Sequence, residues 1–410
     1  MTRERRPPTP TGAQPPGSER TVSTDLLDAL RESDVLDAAA PLAGADPLAA
    51  VSRLRRSGYP ADLAGAALTQ ARLRAAARAK FGPDADRMFF TAAGVQQATR
   101  RAVADRRAAR LAAAGVRRVL DLCCGVGADA LAFARAGLDV TAVDADPATA
   151  AVAAANAEAL GLPVRVVVAD ATEVGRDEYD VVFCDPARRV GDRRVFDPAA
   201  YSPPWEFLVA LTSGAACLKL GPGIDHALLP AGTEAEWVSV GGEVVEAALW
   251  CGPLAEVPRR ASLLGADELT GTGAREATVG PVRGFLYEPD GAVLRAHLVA
   301  ELADAIGAHL GEASIGYLYA DELVDTPFAA AYAVDEVLPF SIKRLRAALR
   351  ERGVGRAVIK KRGFAMEPDQ VRRQLKLAGD KEATVVLTRV AGKPVALLCR
   401  RADRLDSRGG

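Results

Sequence analysis

The chain has 410 residues, with 52 Lys and Arg against 53 Asp and Glu and a formal net charge of −1; at roughly 100–200 residues per domain, that is more than one core. Hydrophobic residues at 49% and charged residues at 26% exclude a disordered, collagen-like or disulfide-scaffold chain, and no stretch reaches the roughly 18 uncharged apolar residues of a membrane span. The basic start MTRERRPPTP is followed by no apolar run, which points to a cytoplasmic protein, and the six cysteines and three histidines show no CxxC or HxxxH spacing, so no metal site is expected.

Residues 1–20, where prolines alternate with Gly, Ser and charges, read as a disordered tail. Residues 21–114 follow a helical period. Leu26, Leu27 and Leu30 share one face, and Pro60 opens the alanine-rich stretch ADLAGAALTQARLRAAARAKFG, which stops at Gly82 and Pro83. Its cations Arg72, Arg74, Arg78 and Lys80 read as a solvated helix face. After Gly115 the period changes. RRVLDL, LDVTAVD, VRVVVAD and YDVVFCD are short apolar runs ending in acids or turn residues, and ADALAFARAG and PATAAVAAANAEALG are helical patterns between the early ones. With further strands at AACLKL and EWVSVGGEVVEAALW, residues 115–255 make an α/β, Rossmann-like domain whose ligands bind beyond the carboxyl ends of the strands. A polar connector, GADELTGTGAREATVG, then leads to strand FLYEP, helix AVLRAHLVAELADAIGAHL and strand IGYLYA within residues 256–320.

Residues 321–402 read as a compact basic α/β module, followed by a short tail at 403–410. In that module Ser341 caps helix IKRLRAALRER, GRAVIKKRG is a strand, PDQVRRQLKLAG a helix, and TVVLTRV and PVALLC a hairpin. From Lys343 to Gly410 there are 19 Lys and Arg against 7 Asp and Glu, which leaves 33 against 46 for residues 1–342. A basic end on an acidic body is a pattern of nucleic-acid contact, because Lys and Arg neutralise phosphates.

The segment Val119-Leu-Asp-Leu-Cys-Cys-Gly125-Val-Gly127 is a strand running into a glycine turn and then a helix. Gly125 and Gly127 allow a sharp turn and close ligand approach, and the helix amides beyond can hold an anion. The glycine pattern alone also fits a dinucleotide fingerprint, with Asp144 19 residues after Gly125 as ribose ligand. Asp121 argues against that. An acid inside the strand suits an ammonium or sulfonium neighbour, not a pyrophosphate, which favours S-adenosylmethionine. Its amine would lie near Asp121, its ribose on Asp144 and its adenine amine near Asp170, at three successive strand ends. Strand four ends Cys184-Asp185-Pro186-Ala187-Arg188-Arg189. Asp185 and Pro186 then stand at the methyl-transfer position, with the Asp185 carboxylate aiming a nucleophilic amine. Arg188 and Arg189 can hold substrate phosphates beside it, and Lys360, Lys361 and Arg362 can grip the same substrate from the basic module. The remaining readings are a methyltransferase with a protein or small-molecule acceptor, and a non-catalytic RNA-binding protein.

These motifs, with ALTQARLRAAARAKFG, MFFTAAGVQQATR, CDPARR, LYEPDGAVLRA and IKKRGF, make the chain resemble the class I S-adenosylmethionine-dependent methyltransferases. More closely, it is similar to bacterial proteins that join such a domain to a C-terminal THUMP-like domain, and the likeness runs from about Leu68 to Arg401. The wider group includes trimethylguanosine synthase and other RNA guanine-N2 methyltransferases. The resemblance implies that Thr91, in Phe90-Thr91-Ala92-Ala93-Gly94-Val95, helps close over the donor's methionine end, and that Cys124 belongs to the cofactor loop. It also implies a ferredoxin-like segment near 275–320 and structured RNA, tRNA or rRNA, as partner. One departure stands out: RNA and DNA amino-methyltransferases of this kind carry Pro and an aromatic where this chain has Ala187 and Arg188. Phe183, Tyr201 and Trp205 are the alternatives for stacking on a base.

Overall fold

The computed structural model describes residues 24–187, 189–190, 193–194 and 201–402. The expected tails at 1–20 and 403–410, and Arg188, lie outside the described residues. The chain begins with a layer of helices: α1 (Thr24–Glu32), α2 (Val35–Ala39), α3 (Pro47–Arg56) and the long α4 (Ala61–Phe81). Pro60 precedes α4 and Gly82, at φ +60°, ends it, as the alanine-rich pattern between Pro and Gly requires. Ala64, Ala67, Leu68, Ala71, Ala77 and Phe81 of α4 are buried against the shorter helices. The cations expected on a solvated face of α4 turn inward at their tips. Arg72 donates to the carbonyls of Ala43 and Ala45, Arg74 to that of Met88, and Lys80 to those of Gln96 and Ala98.

Two more helices, α5 (Ala92–Gln97) and α6 (Arg101–Ala113), lead into a nine-stranded sheet. Its strands are β1 (Arg118–Leu122), β2 (Asp139–Asp144), β3 (Val164–Val168), β4 (Val181–Cys184), β5 (Ala216–Leu220), β6 (Glu234–Val240), β7 (Glu243–Cys251), β8 (Arg259–Leu263) and β9 (Glu268–Gly271). They lie in the order β9-β8-β6-β7-β5-β4-β1-β2-β3. The pairs β3–β2, β2–β1, β1–β4 and β4–β5 are parallel, and β7 inserts antiparallel between β5 and β6. Helices α7 (Ala128–Arg135), α8 (Pro147–Leu160) and α9 (Trp205–Leu211) make the crossovers from β1 to β2, β2 to β3 and β4 to β5. The order therefore reverses at β1 and β4, which opens a crevice beyond their carboxyl ends. The sheet runs past residue 255. Strands β8 and β9 extend it into the stretch expected to be a polar connector, because Arg260 and Glu268 there pair with charges of the sheet.

The second sheet has seven strands: β10 (Phe285–Pro289), β11 (His309–Glu312), β12 (Ile315–Ala320), β13 (Ala329–Pro339), β14 (Val354–Lys361), β15 (Lys381–Val390) and β16 (Lys393–Arg401), in the order β11-β12-β10-β13-β16-β15-β14. The expected ferredoxin-like and THUMP-like segments thus share one sheet. The strand that joins them, β13, has no counterpart among the expected elements, since AAAYAVDEVLP shows no clean alternation. The single helix expected after FLYEP is two, α10 (Gly291–Arg295) and α11 (Val299–Ala305), broken where His297 adopts φ +59°. Helices α12 (Ile342–Glu351) and α13 (Pro368–Leu375) cover one face of β13–β16 through Leu345, Leu349, Val371 and Leu375. Leu298, Leu302 and Leu318 pack into the same core as Leu218, Trp237 and Leu249 of the first sheet, so the two sheets are bound by shared apolar burial.

Candidate active site

The turn after β1 is held in an uncommon backbone state. Cys123, Gly125 and Gly127 all have positive φ, at +64°, +57° and +86°. This folds the chain so that the Cys124 amide bonds the Val143 carbonyl at 3.0 Å and the Gly125 amide bonds Asp144 Oδ2 at 3.0 Å. The other Asp144 oxygen accepts from the Asp146 amide at 3.0 Å. Each oxygen keeps a lone pair for a ribose hydroxyl. Burial raises the Asp144 carboxyl, and the two amides work against that.

Asp121 is 0% exposed, and neither of its oxygens has a hydrogen-bond partner among the described residues. A buried carboxylate without a donor is costly. It nevertheless lines a cleft of about 260 Å³, together with Thr91, Gly94, Cys124, Gly125, Asp129, Asp144, Asp185 and Pro186. Burial first, then Asp129 and Asp185, push its carboxyl well above the usual range, against the pull of Arg107. Beneath the cleft lies a buried charge network. Thr99 Oγ1 donates to Asp129 at 2.6 Å, and Arg107 donates to Asp129 and Glu246. On the far side Lys219 Nζ sits 2.5 Å from Asp185 Oδ2. Burial disfavours the Lys219 ammonium, but Asp185, Asp129 and Glu246 outweigh it and hold its pKa above the ordinary value. Among the described residues Asp121, Asp129, Asp185 and Glu246 stand against Arg107 and Lys219, so acids outnumber bases around the cleft. It suits a cationic ligand with an ammonium group for Asp121, and S-adenosylmethionine has both charges.

Thr91 caps α5, its Oγ1 accepting from the Gly94 amide at 2.9 Å. Two buried amides fix this segment. Gln70 exchanges hydrogen bonds with Phe90, and Asn156 with Phe89, while Asn156 also donates to the Val126 carbonyl at 2.9 Å. Gly94 is obligatory there, because a Cβ would come within 2.4 Å of Val126 Cγ1. Cys124 lies in the cleft wall, its thiol pushed up by burial. Asp170 is set apart. It is exposed, accepts from the Thr172 amide and hydroxyl at 2.8 and 2.7 Å, and lines an adjoining cleft of about 220 Å³ that shares Cys123 and Asp144 with the first. Those Thr172 bonds hold its carboxyl below the usual range.

The structure therefore brings Thr91, Asp121, Cys124, Gly125, Asp144, Asp185 and Pro186 to one cleft, with Asp170 next door. Gly127 turns the chain into α7. Arg188 lies outside the described residues, and Arg189 is described only as backbone of a short strand pair. Lys360, Lys361 and Arg362 are elsewhere. Lys360 pairs with Glu288 at 2.6 Å, Lys361 with Glu367 at 2.5 Å, and Arg362 lies 3.9 Å from Glu288 over the Tyr317 ring. Lys360 and Arg362 line a separate cleft between the two sheets. Of the stacking candidates, Phe183 is buried edge-on to Phe133 beneath the Arg107 guanidinium, and half-buried Trp205 meets Tyr201 edge-on at 5.9 Å. Sequence reasoning missed Lys219, Arg107, Gln70 and Asn156. The one signal for Lys219 was a lone charge inside the apolar run AACLKL.

Comparison with known proteins bears on the family and the fold. A family model described as a methyltransferase domain matches residues 119–195, one described as THUMP domain-like matches residues 329–401, and a domain of unknown function matches residues 27–77. A crystal structure from Porphyromonas gingivalis W83, described as a methyltransferase, superposes with a TM-score of 0.74 over 91% of this chain and 99% of that one, at 23% identity, and shows the fold alone. A release factor glutamine methyltransferase of Bordetella pertussis is 34% identical over 169 residues, 38% of this chain and 60% of that protein. An uncharacterized S-adenosylmethionine-dependent methyltransferase of Mycobacterium tuberculosis is 36% identical over 324 residues, 76% of this chain and 88% of the relative. On that likeness the chain belongs to the S-adenosylmethionine-dependent methyltransferases, with a Rossmann-like catalytic sheet and a THUMP-like C-terminal region.

Proposed function

We propose that the enzyme methylates a nucleotide amine in structured RNA, tRNA or rRNA, in the cytoplasm. The observation that carries the reading is that Asp121, unpartnered at the foot of the cleft, and Asp185, at the tip of the next strand, open onto the same space. S-adenosylmethionine supplies a methyl group already activated on a cationic sulfur. Asp121 takes the donor's ammonium, Asp144 its ribose hydroxyls and Asp170 the adenine amine. The Gly125–Gly127 turn, with Cys124, forms the floor, and Thr91 closes the methionine end. Asp185 accepts a hydrogen bond from the acceptor amine and aims its lone pair, while the Pro186 ring stiffens the backbone next to it. An amine attacks a cationic methyl group without first losing a proton, so alignment carries most of the work. Lys219 fixes the Asp185 rotamer through Oδ2 and balances its charge. The basic C-terminal region, of opposite sign to the rest of the chain, supports RNA as the acceptor.

One observation favours a second reading, a protein or small-molecule acceptor. Ala187 follows Pro186 where a second proline and an aromatic would serve a base, and Phe183 is committed to the core. Mass spectrometry of nucleosides from total tRNA and rRNA, with and without the gene, decides between them. A methylated nucleoside that disappears with the gene supports RNA. An unchanged profile, with labelled methyl groups passing into protein or small molecules instead, overturns it.

A further inference from the structure

The basic region offers two sets of cations, and the structure separates them. On β14 and the turn after it, Lys360 and Arg362 share Glu288 and Lys361 faces Glu367, so two carboxylates already offset most of the charge of the three. Lys360 lies over Tyr332 and Arg362 over Tyr317 on one face of the second sheet, and Lys361 reaches the start of α13. Helices α12 and α13 cover the opposite face. Their apolar positions, Leu345, Leu349, Val371 and Leu375, are buried, and this turns the remaining positions outward.

On that outer surface stand Lys343, Arg344 and Arg350 of α12 and Arg373 and Lys376 at the end of α13, all exposed. Among the described residues none of them has a carboxylate within ion-pair distance, and the same holds for half-buried Arg346. The two helices pack together, and their seam is cationic. Arg346 and Arg350 donate to the Gln374 and Lys376 carbonyls, which carry the negative end of the α13 dipole. Lys343, Arg346 and Arg350, spaced for one helix face, therefore line up beside Arg373 and Lys376. Lys376 also holds φ +47°, the left-handed conformation in which a helix normally ends on glycine. A lysine in a glycine position costs stability, and an outlier of this kind is a pointer to function.

From these observations we infer that the outer face of α12 and α13 is the RNA grip of this protein, with Lys343, Arg344, Arg350, Arg373 and Lys376 contacting phosphates. The inference rests on the RNA reading above and moves the contact away from Lys360, Lys361 and Arg362. Arginine and lysine on a rigid helix pair contact backbone phosphate without reading sequence, so this face positions the RNA and leaves discrimination to the catalytic cleft. The acidic remainder of the chain, 33 Lys and Arg against 46 Asp and Glu over residues 1–342, repels the same backbone and confines the grip to this face.

The test uses the full chain, labelled bulk tRNA as probe, and affinity measured across salt concentrations. The helix variant is Lys343→Gln, Arg344→Gln, Arg373→Gln and Lys376→Gln together; the strand variant is Lys360→Gln, Lys361→Gln and Arg362→Gln together. The helix variant should bind tRNA at least about tenfold more weakly at 0.1 M salt and lose about 3 to 4 from its log–log salt slope, at roughly 0.9 per phosphate contact. It should bind S-adenosylmethionine as the wild type does, which also reports that it is folded. The strand variant should lose about twofold or less. If the strand variant loses more than the helix variant, the grip is misassigned while the RNA reading stands. If wild-type protein binds S-adenosylmethionine but no tRNA at any salt, the RNA reading fails and this inference with it. Wild-type binding to phosphatidylserine-containing vesicles in preference to tRNA would assign the face to a membrane surface and overturn the inference.

Discussion

Asparagine at position 121 keeps the shape of the side chain and removes its charge, which makes Asp121→Asn a direct probe of the donor pocket. In the free protein the aspartate is fully buried with no hydrogen-bond partner among the described residues, and its carboxyl is raised by burial and by Asp129 and Asp185. A raised native pKa means that the fold favours the neutral form. The stability linked to this group is intact below the unfolded value of about 3.9 and falls by about 1.4 kcal/mol per pH unit from there up to the native pKa. The variant escapes this loss, so at pH 7 without ligand it should melt above the wild type, by about 2–4 °C per kcal/mol regained. Binding asks for the opposite state, because the donor's ammonium needs an ionised partner. Below the native pKa, wild-type binding should release a proton and tighten by up to about tenfold per pH unit. The variant should bind S-adenosylmethionine more weakly by roughly two to three orders of magnitude, the scale of about 3–5 kcal/mol for breaking a buried pair, and without the pH dependence. Calorimetry in two buffers of different ionisation heat, with thermal melting of the free protein, reads all three effects. A variant that binds within threefold of wild type, or melts below it without ligand, would refute the assignment.

Asp185→Ala should abolish methyl transfer while S-adenosylmethionine affinity stays within about tenfold, since the lost contact is made mainly with the acceptor in the transition state; equal loss of both would place Asp185 in donor binding instead. Lys219→Met leaves Asp185 and Glu246 short of a buried counter-charge and should destabilise the protein by about 3–5 kcal/mol in denaturant melts. Adding Asp185→Asn should restore at least half of that, and strictly additive losses would show that the two side chains are not coupled. Glu234 receives Arg110 at 2.8 Å on both oxygens and Arg260 at 2.8 Å; burial opposes ionisation, but these guanidiniums hold its carboxyl down at about 2. A depressed native pKa stabilises above the unfolded value and is lost as pH falls toward 2, so Glu234→Gln should cost about 3 kcal/mol at pH 7 and flatten the acid limb of the stability curve between about pH 4.5 and 2. An unchanged acid limb would count against the depressed value.

The catalytic sheet and its cofactor end were legible in the amino-acid order because their signals are local. Strands β1 to β3 alternate with helices α7 and α8 at short range, and glycines at positive φ leave a mark at the very residues that turn. An acid at a strand tip is one residue from the tip wherever the strand goes, so Asp121, Asp144 and Asp185 could be named without knowing what they touch. The outer elements were harder to read. Strand β13 opens with three alanines, its place is set by pairing with β10 and β16 at distant positions in the chain, and β8 and β9 are polar strands held by ion pairs across the sheet.

What a charge does in the folded protein was decided by tertiary structure alone. Lys219 and Asp185 are 34 residues apart and meet because β4 and β5 are neighbours in register. Arg107 comes from the helical layer to hold Asp129 of α7 and Glu246 of β7. The cations of α4 and of IKKRG looked free in the sequence and are spent on carbonyls and carboxylates, as are Arg346, Arg350 and Arg372, while Lys343 and Arg344 of α12 and Arg373 of α13 are exposed with no carboxylate partner among the described residues. Local order names which groups are present, but an ion pair is a distance, and distances between remote residues exist only after the core has closed.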